Sequence, residues 1–326
     1  MSIKPIKKKK KSTTVTMIPL PVLPNPVYWA IATVKGGAGK TTLAVHHAEF
    51  LNTLAPGKVL VVNFDAQDNV QLSLTLLDGE GGRIPENEFI TSLDLFHCDE
   101  DAEGNLAPPN HIKEKKLYQN SRGIYLIPSK KDFIQVEKME LDALLNPIEN
   151  LDYLVKKYDI EHVVIDSKPG RGVVMTAAMF VADFVIAPTV AHVYGLKGII
   201  ELCYQIQLAN INRRDFGLPP AKLLGVVLNQ TIKDRALAVK ESKQLREYLE
   251  GAAIETEIEL RNPIRDTTSL GVPVWELTVG RSIPANNEMI QSLNDLMERA
   301  GKMFADNSDP YGELVEELAE EYSEED

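Results

Sequence analysis

Short apolar runs alternate with amphipathic stretches along most of the chain. An apolar run at 27–34 precedes a helical segment at 40–54, and a second continuous apolar run follows at 59–64. Such runs are typical of strands buried on both faces of a parallel sheet. Similar runs, mostly separated by helical segments, lie at 124–127, 163–165, 184–187 and 223–228. The alternation predicts an α/β fold with a doubly wound, mostly parallel sheet flanked by helices.

Three segments depart from this alternation. Residues 1–26 combine a lysine run with five prolines, which predicts a flexible basic leader. Residues 79–120 are polar and contain turn-forming residues, so we expect an irregular insertion within the body at 27–304. The last helix of that body is expected at 286–304. Residues 305–326 are acidic, and we expect a disordered, solvated tail, although Val315, Leu318 and Tyr322 could form a weak apolar stripe.

The charge is distributed unevenly. The net charge of −12 divides into +6 within the first eleven residues, −10 after residue 305 and −8 on the body, so the average does not exclude contact with nucleic acid. The two cysteines, Cys98 and Cys203, are too few for a disulfide scaffold or a cysteine-rich metal site. No apolar run has the length of a membrane span, and no signal peptide is evident. We therefore expect a cytoplasmic protein with reduced cysteines.

A glycine-rich segment carries the clearest chemical signal. Residues 34–42 read VKGGAGKTT and lie between an apolar strand and a helix, which is the context of a phosphate-binding P-loop. Glycines allow backbone N–H groups to converge on an anion, and the helix N-terminus favours negative charge there. Lys40 would reach the β- and γ-phosphates, and Thr41 would ligate Mg²⁺. The predicted nucleotide-binding residues of this loop are Lys35, Gly36, Gly37, Ala38, Gly39, Lys40, Thr41 and Thr42.

This loop departs from the standard P-loop, because Val34 stands where glycine is usual and Lys35 adds a second lysine. The stretch KGGAGKTT resembles the deviant Walker A motif of the ParA/MinD ATPase family, and the resemblance extends over residues 27–304. It implies a P-loop NTPase fold, ATP and Mg²⁺ as cofactors, and a homodimer that encloses ATP between its subunits. It also implies that Lys35 reaches the partner's phosphates, as an arginine finger does in trans.

Asp65 is the candidate for orienting the attacking water. It ends the apolar run at 59–64 and matches the second aspartate of the family's Asp-x-Asp-Pro-Gln motif, from which the chain departs at Asn63 and Ala66. The resemblance implies that Asp65 responds to the γ-phosphate, and a strand-end carboxylate can accept a hydrogen bond from water. A turn or helix-capping aspartate is the alternative. The predicted catalytic residues are thus Lys35, Lys40 and Asp65.

Asp166 is the Walker B candidate. It ends the apolar stretch that begins at His162, and a carboxylate there could hold Mg²⁺ through water. The predicted metal-site residues are therefore Thr41 and Asp166. Lys168 replaces a proline of the family pattern. It could tune contacts with nucleotide or partner, or be a solvent-facing loop lysine.

Base and DNA contacts rest on weaker patterns. Asn229 resembles the family's adenine-contacting asparagine but could equally cap a helix. Arg261, Asn262 and Pro263 resemble the loop that covers the purine. For nonspecific DNA binding the candidates are the N-terminal lysine run and a cluster of basic residues on a helix after the sixth strand, for which a solvated helix with interspersed glutamates is the alternative. The residues of this cluster are Lys233, Arg235, Lys240, Lys243 and Arg246.

The resemblance implies a ParA-type ATPase that dimerises with ATP and binds nonspecific DNA, and would then be associated with the nucleoid. It would segregate or position a plasmid, chromosome or other cargo, with hydrolysis stimulated by a ParB-like or other adaptor. The alternatives are a MinD-like, membrane-associated ATPase and a ParA-like ATPase that positions a protein cargo without segregating DNA. The acidic C-terminal sequence disfavours a membrane anchor at that end, because anionic lipids would repel it.

Overall fold

A computed structural model describes residues 15–67, 69–78, 84–85, 87–277 and 282–325. The strands are β1 (Val27–Ile31), β2 (Val59–Phe64), β3 (Asp99–Glu100), β4 (Leu106–Ala107), β5 (Tyr118–Gln119), β6 (Tyr125–Ile127), β7 (His162–Ser167), β8 (Phe184–Val190), β9 (Lys222–Thr231) and β10 (Ile258–Glu259). The helices are α1 (Lys40–Leu54), α2 (Asn69–Thr75), α3 (Asn110–Glu114), α4 (Asn146–Tyr158), α5 (Val173–Val181), α6 (Val193–Asp215), α7 (Ala236–Tyr248), α8 (Asn262–Leu270), α9 (Ile283–Ala305) and α10 (Gly312–Glu325).

The main sheet has the strand order β10-β9-β8-β1-β7-β2-β6-β5. Every neighbouring pair from β10 to β6 is parallel, and β5 joins the edge antiparallel to β6. This arrangement confirms the predicted α/β fold with a mostly parallel sheet. The insertion contributes β5, helix α3 and the small β3–β4 hairpin, joined by irregular chain.

Alternate residues of each central strand serve two separate cores, as the period of two in a strand requires. On β2, Leu60 and Val62 belong to the core beneath α4, α5 and α6, whereas Val59 and Val61 belong to the core beneath α1 and α9. The sheet is therefore covered on both faces, which explains why its strands read as continuous apolar runs. Among the described residues, no helix is long and apolar enough to cross a membrane.

The acidic C-terminal segment is not the disordered tail that its charge predicts. Residues Gly312–Glu325 form α10, which packs on α6. Leu314, Val315 and Leu318 are each less than 10% exposed and belong to the core on that side of the sheet. The apolar stripe is therefore strong enough to fix the helix, because its partner is a complementary face of α6, and the glutamates remain on the outer side.

Part of the leader also differs from the expectation of flexibility. Residues 15–23 run along α9, where the Val15 N–H donates to Asn287 Oδ1 at 3.0 Å. Asn294 accepts from the Ile18 N–H at 3.0 Å and donates to the Thr16 carbonyl at 2.9 Å. Apolar side chains of this segment, Ile18 among them, pack against the core beneath α9. The lysine run itself lies outside the described residues.

Candidate nucleotide site

The predicted site residues converge because parallel strands end at one edge of the sheet. The glycine loop follows β1, Asp65 follows β2, and Asp166 lies near the carboxyl end of β7. In the strand register Asp166 pairs with Ile31 on one side and with Asn63 on the other. Ligands of open α/β sheets bind at this edge.

The glycine loop owes its shape to two left-handed residues and two braces from β9. Gly37 and Gly39 have φ of +83° and +84°, a region that favours glycine. Asn229 Nδ2 donates to the Ala38 carbonyl at 2.8 Å, and Gln230 Nε2 donates to the Gly37 carbonyl at 2.6 Å. A Cβ at Gly39 would lie only 2.1 Å from Asn229 Nδ2. Glycine is therefore needed at position 39 for both its conformation and this close approach.

Lys40, Thr41 and Asp166 form a buried hydrogen-bonded group. Lys40 Nζ donates to Asp166 Oδ1 at 2.6 Å, and Thr41 Oγ1 donates to Asp166 Oδ2 at 2.8 Å. The Lys40 and Asp166 side chains are 6% and 1% exposed. Burial raises the pKa of Asp166, while the Lys40 ammonium and the Thr41 hydroxyl act to lower it. This group brings together a cation, a hydroxyl and a carboxylate at the head of α1.

Asp65 is held at the same edge by its own turn. Its N–H donates to Asn63 Oδ1 at 3.0 Å, and its Oδ1 accepts from the Gln67 N–H at 2.9 Å. Asn63, a departure from the family pattern, therefore serves to fix the backbone of Asp65. Asp65 and Gln67 line one cavity of about 370 Å³ together with the glycine loop. The full lining is Thr33, Lys35, Gly36, Gly37, Ala38, Gly39, Lys40, Thr41, Thr42, Asp65, Gln67, Asn69, Pro169 and Gln230.

A buried histidine supports the helix behind the loop. His46 Nδ1 lies 2.7 Å from the Thr42 carbonyl, and its Nε2 accepts from the Val274 N–H at 3.2 Å. Both contacts are satisfied by a neutral ring with its proton on Nδ1. Burial lowers the pKa of His46 to about 4, which favours that neutral form. The imidazole thus ties the first turn of α1 to the chain after α8.

The two additional lysines of the motifs have acidic partners on neighbouring elements. Lys35 Nζ lies 3.8 Å from Glu201 Oε2 of α6, with the lysine side chain 54% exposed and the glutamate 7% exposed. Lys168 Nζ lies 3.1 Å from Glu137 Oε1. Neither glutamate lies near its lysine in the sequence, and neither is marked by a motif.

The base-recognition candidates do not all meet at this cavity in the described structure. Asn229 touches the glycine loop, whereas Arg261, Asn262 and Pro263 lie at the start of α8. The Arg261 guanidinium donates to Glu288 at 2.7 and 3.0 Å, which holds it on α9. Contact of these four candidates with a purine therefore stays a prediction. Gln230, which the sequence reasoning passed over, directly follows Asn229.

The candidate DNA-binding residues lie on and beside α7 in a region of mixed charge. Lys233 pairs with Glu259, and Arg246 pairs with Glu257 at 3.3 Å while donating to the Ile254 carbonyl at 2.6 Å. Lys243 pairs with Glu247 within α7, and Arg235 and Lys240 are exposed. A cleft of about 670 Å³ beside α7 carries both signs of charge, with Lys233, Lys243 and Arg246 opposite Glu255, Glu257 and Glu288.

Comparison with known proteins agrees with this geometry. A family model described as an AAA domain matches residues 28–215. The chromosome partitioning protein ParA of Caulobacter vibrioides is 26% identical over 259 residues, which cover 75% of this chain and 85% of that protein.

Solved structures show the same fold. The ATP complex of a variant McdA from Cyanothece matches with a TM-score of 0.63 and 20% identity, over 84% of this chain and 97% of that one. Cobyrinic acid a,c-diamide synthase from Mycobacterium smegmatis, solved with ADP and magnesium, matches with a TM-score of 0.55 and 19% identity, over 76% and 92%. The second match shows that this fold alone does not fix one activity. By its family match, this chain belongs to the AAA domain family, and the resemblance to the ParA/MinD ATPases found in its sequence is confirmed.

Proposed function

We propose that this protein is a ParA-type ATPase that hydrolyses MgATP within a homodimer and uses that cycle to partition or position a cargo. The observation that carries the proposal is the buried group of Lys40, Thr41 and Asp166 at the head of a glycine loop, with the half-exposed Lys35 beside it. The relation to a chromosome partitioning protein supports partition or positioning as the use of this chemistry.

The residues at the head of α1 fit a magnesium ion. Thr41 supplies a hydroxyl oxygen and Asp166 a carboxylate, both of which are oxygen donors suited to Mg²⁺, with Asp166 acting through water. When bound, the ion would neutralise charge on the phosphates. Lys40 would exchange Asp166 for the β- and γ-phosphates of ATP, since its ammonium is the mobile partner of this pair.

Asp65 would orient the attacking water, and Lys35 would stabilise charge on the partner's phosphates. Asp65 would accept a hydrogen bond from the attacking water and so orient it, because its carboxylate lines the same cavity as the glycine loop. Lys35 would leave its own subunit's surface and stabilise the developing charge on the partner's phosphates. The protein would thus be active only as an ATP-bound dimer.

Phosphate release measured with MgATP tests this function. Lys40→Ala should lose nucleotide binding, and Asp65→Ala should still bind ATP but release no phosphate, so that its dimer accumulates. Lys156→Ala removes an exposed lysine of α4 and should behave as the wild type. Normal phosphate release by Asp65→Ala would remove Asp65 from the mechanism.

We further propose that nonspecific DNA is the surface on which the ATP dimer moves, in a cytoplasmic, nucleoid-associated protein whose hydrolysis a ParB-like or other adaptor stimulates. The exposed Arg235 and Lys240 of the α7 region would contact phosphates, aided by Lys243. Helix α10 itself is disfavoured as a membrane anchor, because its apolar stripe is already buried against α6.

Gel shifts with one DNA duplex in ATP and in ADP test this part. Arg235→Gln with Lys240→Gln should weaken binding in ATP, whereas Lys156→Gln should not. The ion pairs of Lys233 and Arg246 favour the alternative, in which a protein cargo is positioned without segregating DNA. Equal DNA affinity in ATP and ADP would contradict the nucleotide switch, and absence of DNA binding in both nucleotides would contradict DNA as the surface.

A further inference from the structure

The C-terminal helix is connected to the glycine loop by a series of side-chain contacts. The Tyr322 ring of α10 lies against the Tyr204 ring of α6 in a tilted arrangement, with the ring centroids 4.9 Å apart. The guanidinium carbon of Arg171 lies 4.9 Å from the centroid of the Tyr322 ring, which is a cation–π distance. Arg171 in turn donates to Glu201, the same carboxylate that Lys35 approaches. Tyr322 is therefore three contacts away from Lys35.

Among the described residues, Glu201 pairs with two cations, Arg171 and Lys35, and these two contacts are unequal. Its carboxylate is 7% exposed, so it requires a compensating positive charge. Arg171 bonds to Oε1 closely, whereas Lys35 Nζ is 3.8 Å from Oε2, near the outer limit of an ion pair. Arg171 is thus the main partner. Lys35 is held loosely and remains half exposed.

Arg171 can be the main partner of Glu201 because its side chain is held in place. It is 54% exposed, and a solvent-exposed arginine gains little from an ion pair alone. The Tyr322 ring covers it, and α10 fixes that ring by packing Leu318 and Val315 into the core. A hydrogen bond from Tyr248 to Glu321 holds the helix further, and one from Lys222 to the Ser308 carbonyl holds the connection that precedes it.

We propose that α10 sets the availability of Lys35, by keeping Arg171 on Glu201 so that the lysine is free to leave its own subunit. This rests on the proposed ATP dimer, in which Lys35 acts on the partner. When α10 is displaced, Arg171 loosens and Glu201 draws Lys35 closer as its remaining counter-charge. Tyr322 and Arg171 are positioning residues that act through Glu201, and displacement of α10 disfavours the dimer.

Lysine acylation tests the contact in the monomer. The protein is treated briefly with an N-hydroxysuccinimide acetate reagent without nucleotide, and labelling of Lys35 is measured by peptide mass spectrometry relative to Lys156. Tyr322→Ala should slow acylation of Lys35 about threefold, the size expected for a half-exposed ion pair. Arg171→Gln should do the same without altering α10. Tyr322→Phe keeps the ring and should match the wild type, and Glu201→Gln should accelerate acylation.

Combining Tyr322→Ala with Glu201→Gln distinguishes an effect transmitted through Glu201 from a general loosening of the fold. In Glu201→Gln, adding Tyr322→Ala should change Lys35 acylation no further. A Tyr322→Ala effect of equal size in both backgrounds, or no effect in either, would overturn the proposal.

Sedimentation with Mg²⁺ and a non-hydrolysable ATP analogue then measures the consequence. Tyr322→Ala should raise the dimer dissociation constant about tenfold, since each dimer contains two Lys35 side chains. An unchanged dissociation constant would overturn the proposal that α10 influences dimerisation. Absence of any dimer in the wild type would count against the proposed function, while the acylation result would still decide the contact.

Discussion

The buried pair of Lys40 and Asp166 allows a prediction that separates folding from nucleotide binding. Lys40→Met removes the ammonium but keeps most of the side-chain volume. Among the residues that the structure describes, Asp166, 1% exposed, would then retain only the Thr41 hydroxyl as a side-chain hydrogen-bond partner. Removing one member of a buried ion pair costs about 3–5 kcal/mol, because the remaining charge is left uncompensated. We expect the free energy of unfolding of Lys40→Met to fall by about that amount without nucleotide.

A double-mutant cycle shows whether the charge itself is responsible. Asp166→Asn in the Lys40→Met background removes the uncompensated carboxylate and should recover at least about 2 kcal/mol of the loss. Lower pH should have a similar effect, because burial already raises the pKa of Asp166 and loss of Lys40 would raise it further. The destabilisation should therefore shrink as the pH falls from 7 towards 5.

Urea unfolding followed by tryptophan fluorescence is a suitable assay, since the Trp29 side chain is fully buried and stacks on Phe184 of β8. A loss below about 1 kcal/mol in Lys40→Met, or a loss that Asp166→Asn does not relieve, would refute the reasoning. The same variants mixed with a fluorescent ATP analogue report nucleotide binding separately.

Three further predictions follow from backbone, burial and packing. Gly39→Ala should lower the free energy of unfolding by more than the ~1–2 kcal/mol of a left-handed alanine, because its Cβ would clash with Asn229. Gly104 has the same φ of +84° but lies in open space, so Gly104→Ala should cost only about 1–2 kcal/mol in urea unfolding. Burial lowers the pKa of His46 and His162 to about 4 and that of His47 to about 3. The stabilisation from these neutral histidines should therefore be fully present above about pH 6.5 and be lost as the pH drops towards 4. The free energy of unfolding should fall by up to about 1.4 kcal/mol per pH unit for each histidine. The decline should be shallower in His47→Leu, and an unchanged pH profile would count against this cause. Leu318→Asp should release α10 and expose the chain after residue 305 to limited proteolysis, while the neighbouring Glu317→Gln should leave the digestion pattern unchanged.

Local sequence signals predicted the elements around the phosphate loop closely. Helix α1 begins at Lys40 because the glycines before it cannot continue a strand, and it ends before Pro56 as expected. Strand β2 matches the predicted bounds, since both of its faces are buried. Strand β1 is shorter than the apolar run at 27–34, because the last apolar residues turn out of the sheet to begin the loop.

Contacts between distant parts of the chain could not be predicted in this way. The stripe of α10 was visible, but its burial depends on a face of α6 about a hundred residues earlier. The acidic partners of Lys35 and Lys168 likewise come from other elements and carry no motif. The sequence predicts that Asn229 contacts adenine, whereas in the structure its amide donates a hydrogen bond to the phosphate loop. Local pattern fixes which groups reach the sheet edge, and tertiary packing decides which charges they meet there.

The role of Lys35 across a dimer is the central claim, and the mass of the protein in solution tests it most directly. In light scattering after gel filtration with Mg²⁺ and a non-hydrolysable ATP analogue, the wild type and Lys156→Ala should have about twice the chain mass of 36.2 kDa. Lys35→Ala should stay at the monomer mass while still binding a fluorescent ATP analogue. A Lys35→Ala variant that dimerises as the wild type does, or a wild type that stays monomeric with saturating nucleotide, would contradict the account.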